Sequence, residues 1–219
     1  MFVVGGDSHS PTGGAFGCFM FGVGATDMAG VLVTGETWVK VPATIRIDIN
    51  GDLPLGVSAK DIILHLCGRL GMGGGKYQAI EYTGSTVAGL SMTERMTLSN
   101  MAAELGAQVG LIAGDETTAE YIRNAGGDPG DYRQWQSDAD ATYMETHVVE
   151  TDQLVPYVAA PHSPANSAPV GEHAGVALNQ AYIGACTGAK LEDLHMAAKV
   201  LKGNKVAAGT RLLLAPAST

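Results

Sequence analysis

Positive charge is scarce in this chain. Its 13 lysines and arginines stand against 22 aspartates and glutamates, a formal net charge of −9 at pH 7. Such a surface repels a phosphate backbone, and no basic stripe reverses the effect locally, which excludes nucleic acid as a partner. Cysteine is rare as well. Cys18, Cys67 and Cys186 are odd in number and far apart, which argues against a disulfide framework and for a reducing compartment. No two of them make a Cys-x-x-Cys pair, so the sequence offers no complete metal site. Apolar runs are too short to cross a bilayer, and no basic segment leads into a hydrophobic one with a cleavage site at the N-terminus. These absences predict a cytoplasmic protein with no membrane partner. Aromatic residues are only 6% of the chain, so a core has to come from Val, Ile, Leu and Ala.

What is present fits that requirement. Hydrophobic residues make up 46% of the 219, and 30 glycines permit tight turns and close backbone packing, a mixture that favours α/β layers. Met1 to Val4 reads as a short buried strand entering a glycine turn. The following small residues suit close backbone packing. Ile45, Ile47 and Ile49 alternate with Arg46 and Asp48, the period of a half-buried strand. Ser58 and Asp61 stand in capping-box spacing ahead of Ile62, Ile63, Leu66 and Leu70, which predicts a helix closing at Gly71. A second helix carries Leu98, Met101, Ala102 and Leu105 at i, i+3, i+4 and i+7, facing a core. Residues 107–114 read as a strand or buried turn, and the stretch up to Gly126 or Gly127 as a short helix. Strand and helix in alternation imply βαβ organisation. The proline-rich stretch from Pro156 to Gly171 suits an extended connection, and a domain linker is placed there or slightly before it. Beyond it, residues 180–186 predict a strand, Leu191, Leu194, Ala198 and Leu201 one helix face, and residues 210–219 a further buried strand.

Three spots carry groups suited to chemistry. The first is "GGDSHSPTGGAFG", residues 5–17, where Asp7, Ser8 and His9 sit in a turn only glycine-rich backbone makes. Capping a helix is the plain explanation for them. The second is the polar stripe Thr97, Asn100 and Glu104, for which a solvated helix edge is the default. Glu104 is flanked by Met101 and Leu105, however, and a carboxylate at a core boundary needs a cation or donor, which a histidine from the turn would supply. Such a pair holds an acid or base in one tautomer. The third is Cys186, at a strand end before Thr187, Gly188 and a helix. Inert burial is the commoner fate of a cysteine, and a helix N-terminus favours thiolate, so a ligand or a nucleophile are both open.

"GGDSHSPTGGAFG", "MTLSNMAAELGA" and "YIGACTGAKLEDL", in this order and spacing, resemble the aconitase superfamily, nearest the large subunits of the isopropylmalate dehydratase, homoaconitase and dimethylmalate dehydratase group. The resemblance implies three-layer α/β/α subdomains, incomplete at both ends. Their expected bounds are residues 1–42, 43–150 and 151–219, the last including the linker. It further implies that Asp7 and His9 belong to carboxylate–imidazole pairs around the substrate, with Ser8 near a substrate carboxylate. Glu104 would be the partner of the active-site histidine, and Asn100 would face cofactor and substrate. Cys186 would be the first of three thiolate ligands to a 4Fe-4S cluster whose open iron acts as a Lewis acid. The other two normally follow in a Cys-x-x-Cys beyond Thr219.

Two positions depart from the family pattern: Gly188 stands where Asn is usual, and Thr12 where some relatives have Asn. The implied activity is that of a hydro-lyase component acting on a hydroxy di- or tricarboxylic acid such as an isopropylmalate. A small swivel-domain subunit and further large-subunit segments would be its partners, and the isolated chain would be inactive. The alternative is a non-catalytic remnant serving as a binding or assembly module. A cysteine nucleophile at Cys186 is a third reading, with no histidine placed by sequence to activate it.

Overall fold

Phe2–Gly5 (β1) and Phe19–Gly22 (β2) run parallel, paired from Phe2 with Phe19 to Gly5 with Gly22, in the computed structural model, which describes residues 1–218. The link between them is the glycine turn followed by a 3-10 helix, Ser10–Phe16. Close backbone contact makes this short crossover work. A Cβ on Gly22 would lie 2.3 Å from the Asp7 carbonyl oxygen, and one on Gly14 would lie 1.8 Å from that of Gly110. Only glycine fits either place. β1 is not buried as its apolar run predicts: Phe2 is 49% exposed, because this two-stranded sheet is not covered on both faces. β2 and the helix after it, Ala25–Thr34 (α1), arise in the segment read only as small and closely packed. Gly35 ends α1 in the left-handed conformation, and no α1 residue is buried.

Thr44–Asn50 (β3) is the centre of the main sheet. Its three isoleucines are at most 1% exposed, and each contributes roughly 1.5–3 kcal/mol through burial. Ala59–Leu70 (α2) follows, with the Ser58–Asp61 capping box formed at its start and Gly71 at its end. Then come Ala79–Thr83 (β4), the one-turn Ser85–Gly89 (α3), Met92–Asn100 (α4), Val109–Leu111 (β5), Glu116–Asn124 (α5) and Glu145–Glu150 (β6). The sheet is parallel throughout, in the order β5-β4-β3-β6. Ile62, Ile63 and Leu66 of α2 and Leu98 of α4 share one core with the β3 isoleucines. α4 ends at Asn100, and a 3-10 turn, Met101–Ala103, carries the chain on, so Met101, Ala102 and Leu105 still reach the core.

The strand order reverses beside β3, where open α/β sheets commonly bind ligands beyond the carboxyl ends of their strands. Here that crevice is closed by polar contacts. Asn50 Oδ1 accepts from the Ser85 amide at 3.1 Å, Thr86 Oγ1 donates to the Gly51 carbonyl at 2.6 Å, and Thr151 Oγ1 donates to the Asn50 carbonyl at 3.0 Å.

The proline-rich stretch is not a free linker in its first part. Tyr157–Ala159 (β7) and Ser167–Pro169 (β8) form an antiparallel hairpin against α2. The Tyr157 amide donates to Asp61 Oδ1 at 2.7 Å, and the Tyr157 hydroxyl is 3.0 Å from His65 Nδ1. These side-chain contacts hold a segment whose prolines remove amide donors. One compact unit therefore runs from Met1 to Pro169, and a second from Val170 to Thr219. In the second, Gln180–Ile183 (β9) and Arg211–Leu214 (β10) pair in parallel around Leu191–Leu201 (α6). β10 was expected to be buried. Its Leu214 is instead 58% exposed, and α6 has no buried residue, because among the described residues of this unit little besides β9, β10, α6 and the 3-10 turn Val170–His173 is there to cover them.

Candidate active site

The Asp-Ser-His turn is held by its own hydrogen bonds. Asp7 Oδ1 accepts from the His9 amide at 2.7 Å, and Ser10 Oγ donates to the Asp7 carbonyl at 2.8 Å. The triplet precedes the 3-10 helix, whose N-cap is His9 with no side-chain cap bond, so helix capping is not what these side chains do. The turn is fixed to the main sheet where the Ile112 amide donates to the Gly14 carbonyl at 3.0 Å. This attachment brings the turn beside the end of α4.

There His9 Nε2 stands 3.2 Å from Glu104 Oε1, with the two side chains 31% and 26% exposed. A carboxylate only accepts, so the proton on the neutral ring sits on Nε2 and Nδ1 is an acceptor. Ser8 Oγ, 3.1 Å from Nδ1, supplies the matching donor. Asp7 takes no close part in this pair: its Oδ1 is 4.0 Å from Nδ1, and its side chain is 77% exposed. Glu104 follows the 3-10 turn, and Gly106, at φ +73°, reverses the chain immediately after it.

Asn100 lies behind this group. The polar stripe is not a solvated edge, since Thr97 is 4% and Asn100 1% exposed. Asn100 Nδ2 donates to Thr12 Oγ1 at 2.8 Å, Thr12 Oγ1 donates to the His9 carbonyl at 2.7 Å, and Asn100 Oδ1 is buried with no partner. A turn hydroxyl leaves no periodic trace, and sequence reasoning marked Thr12 only as a departure from the family pattern. Cys67, on α2, is fully buried; burial and then the Glu104 charge push its thiol up to about 12, so it remains an unionised core side chain.

In the second unit, Cys186 is exposed in the turn between β9 and α6. The helix begins at Leu191, the first residue of the helix face expected from the sequence. Ala185, at φ +67°, turns the chain, and Lys190 is the N-cap, so Thr187 and Gly188 are turn residues. Among the described residues, no three His, Cys, Asp or Glu side chains are grouped so as to hold a metal ion, and no helix is long and apolar enough to cross a membrane. A separate cleft of about 820 Å³, lined in part by Trp38, Val39 and Lys76, includes none of Asp7, Ser8, His9, Asn100, Glu104 and Cys186.

Comparison with known proteins gives a consistent result. A family model described as "Aconitase family (aconitate hydratase)" matches residues 1–176. The chain is 46% identical over 216 residues to 3-isopropylmalate dehydratase large subunit 1 of Methanopyrus kandleri, covering 99% of this chain and 51% of that protein. It is also 46% identical over 217 residues to the probable methanogen homoaconitase large subunit of Methanosarcina mazei, covering 99% of this chain and 55% of that protein. A third relative, the 3-isopropylmalate dehydratase large subunit of Halothermothrix orenii, is 45% identical over 214 residues, 98% of this chain and 50% of its own. The chain spans about half the length of the curated relatives it matches.

Proposed function

Because the chain belongs to the aconitase family, we propose that it forms part of an iron-sulfur hydro-lyase acting on a hydroxy di- or tricarboxylic acid of the isopropylmalate type. The observation that carries this reading is the His9–Glu104 pair, partly open to solvent, with Ser8 on the other ring nitrogen. Removing water from a hydroxy acid breaks a C–O bond and takes a proton from the adjacent carbon. The departing oxygen has to be protonated, and the residues of this turn serve that side of the reaction.

Ser8, released from His9, donates to a substrate carboxylate and leaves Nδ1 free. Nδ1 takes up a proton from solvent and passes it to the departing oxygen, which leaves as water, while the proton of the adjacent carbon goes to a base on polypeptide beyond these residues. In the reverse direction Nδ1 takes a proton from the attacking water. Glu104 stabilises the doubly protonated ring between these events, and holds the neutral ring with its hydrogen on Nε2. Asp7, bound to the His9 amide, keeps the turn in shape.

The donor set in the described residues does not complete a cluster: Cys186 is one exposed thiol, Cys67 is buried, and Cys18 is half-buried with its thiol raised by burial. On this reading Cys186 supplies one thiolate, and the remaining ligands, like the partner small subunit, come from polypeptide beyond these residues. The single thiol is also what favours the second reading, a non-catalytic binding or assembly module.

The test is to isolate anaerobically the natural protein containing these residues, incubate it with 2-isopropylmalate in D2O, and follow the substrate by 1H NMR. Expected are loss of water and exchange of the carbon-bound proton, slowed about 10²- to 10⁴-fold by Glu104→Gln. A folded protein that leaves 2-isopropylmalate and its methyl-substituted malate analogues unchanged would exclude the hydro-lyase and leave the module.

A further inference from the structure

The hydroxyl of Thr12 links His9 to Asn100, a residue 88 positions beyond Thr12 in sequence: it accepts from Asn100 Nδ2 at 2.8 Å and donates to the His9 carbonyl at 2.7 Å. A hydroxyl has one hydrogen. The His9 carbonyl only accepts, so that hydrogen is committed to it, and what Thr12 offers Asn100 is a lone pair. Asn100 therefore has to present its NH2 to Thr12, which fixes the amide with Oδ1 on the other side. The directions agree from end to end, Asn100 to Thr12 to His9.

Burial decides what such a chain can do. Asn100 is 1% exposed and its Oδ1 has no surface, so its amide is out of reach of a ligand in solution. The backbone of His9 is also held by the Thr12 amide, which donates to the same carbonyl at 3.1 Å. Two donors from one residue thus fix the carbonyl of the residue whose ring meets Glu104, and Asn100 fixes the rotamer of that residue's hydroxyl. Asn100 and Glu104 leave α4 and its 3-10 extension together, so the chain ties His9 to the same segment that carries its carboxylate partner.

We propose that Thr12 and Asn100 are positioning residues, which set the His9 ring against Glu104 through the His9 backbone and do not contact substrate. The catalytic consequence rests on the role of His9 proposed above; the structural part does not.

Long-range 1H–15N NMR of the 219-residue chain reads the state of the His9 ring. Thr12→Val, which removes the hydroxyl at similar volume, should shift both ring nitrogens, and Thr12→Ser should return them to their original positions. Asn100→Leu should reproduce the Thr12→Val shift. Unchanged His9 signals in either variant, or no recovery with Ser, would overturn the positioning role. Thermal unfolding of each variant keeps global unfolding from passing as a local effect. In the natural enzyme, Thr12→Val and Asn100→Leu should both lower kcat on the order of 10²-fold with KM unchanged. A rise in KM for Asn100→Leu would make it a substrate contact and overturn the proposal. Altered His9 signals with kcat intact would instead refute the proposed role of His9, leaving the positioning chain in place.

Discussion

His9 and Glu104 are 95 residues apart in sequence and meet at 3.2 Å, ring nitrogen to carboxylate oxygen, where the glycine turn abuts the end of α4. The contact assigns a tautomer, because Glu104 takes the hydrogen of Nε2 and Ser8 gives its own to Nδ1. Nitrogen NMR of the 219-residue chain at neutral pH should show the Nε2–H form of His9. In Glu104→Ala that preference should weaken. Folding stability should change by about 1 kcal/mol or less, since both side chains are partly solvated. A dominant Nδ1–H form in the unaltered protein would contradict the arrangement.

Two glycines predict opposite effects of the same substitution. At Gly14 an added methyl would meet the Gly110 carbonyl at 1.8 Å, so either the turn or β5 has to move. Gly14→Ala should cost about 1–3 kcal/mol or more, the usual penalty for forcing atoms into a packed place. Gly30 lies in exposed α1 with nothing within 4 Å of a new Cβ. There Ala should stabilise by roughly 0.5–1 kcal/mol through helix preference alone. Urea unfolding of the two variants checks both signs, and equal effects would mean the turn is not packed as described.

How legible this arrangement is depends on whether a residue acts through a repeating pattern or a single contact. The isoleucines of β3, the Ser58–Asp61 box of α2 and the Leu98–Leu105 face repeat at the period of their elements, so the sequence displays them. β2 and α1 lie in glycine-rich chain with no such period. The β7–β8 hairpin is concealed by its prolines, and what holds it is Asp61 and His65, far back on α2. Within the candidate site, a carboxylate between Met101 and Leu105 signals the need for a partner, and His9 stands there. Asn100 shows the limit of that reasoning, for position on a helix face says nothing of the turn that later covers it. The 3-10 helix following His9 packs over Asn100 and turns an expected solvent edge into interior.

Arg95 and Asp115 give the pH dependence its sign. Arg95 is 0% exposed, and its two terminal nitrogens each lie 2.7 Å from a different Asp115 oxygen, while its Nε donates to the Leu90 carbonyl at 3.1 Å. Burial pushes the Asp115 carboxyl up, but hydrogen bonds from Arg95 and the Thr118 amide, with the Arg95 charge, outweigh it and hold the group below the usual carboxylate range. A depressed folded pKa stabilises the protein above the unfolded value, near ~3.9, and that contribution is lost as pH falls through the folded one. Asp115→Asn should therefore flatten the acid limb of a stability–pH curve, while Asp115→Ala, which strands a buried guanidinium, should cost on the order of 3 kcal/mol at pH 7. Chemical denaturation from pH 7 down to about 3, spanning that unfolded value, measures both. An acid limb as steep in Asp115→Asn as in the parent would show that other carboxylates govern acid unfolding, and a neutral Asp115→Ala would show that water already serves Arg95.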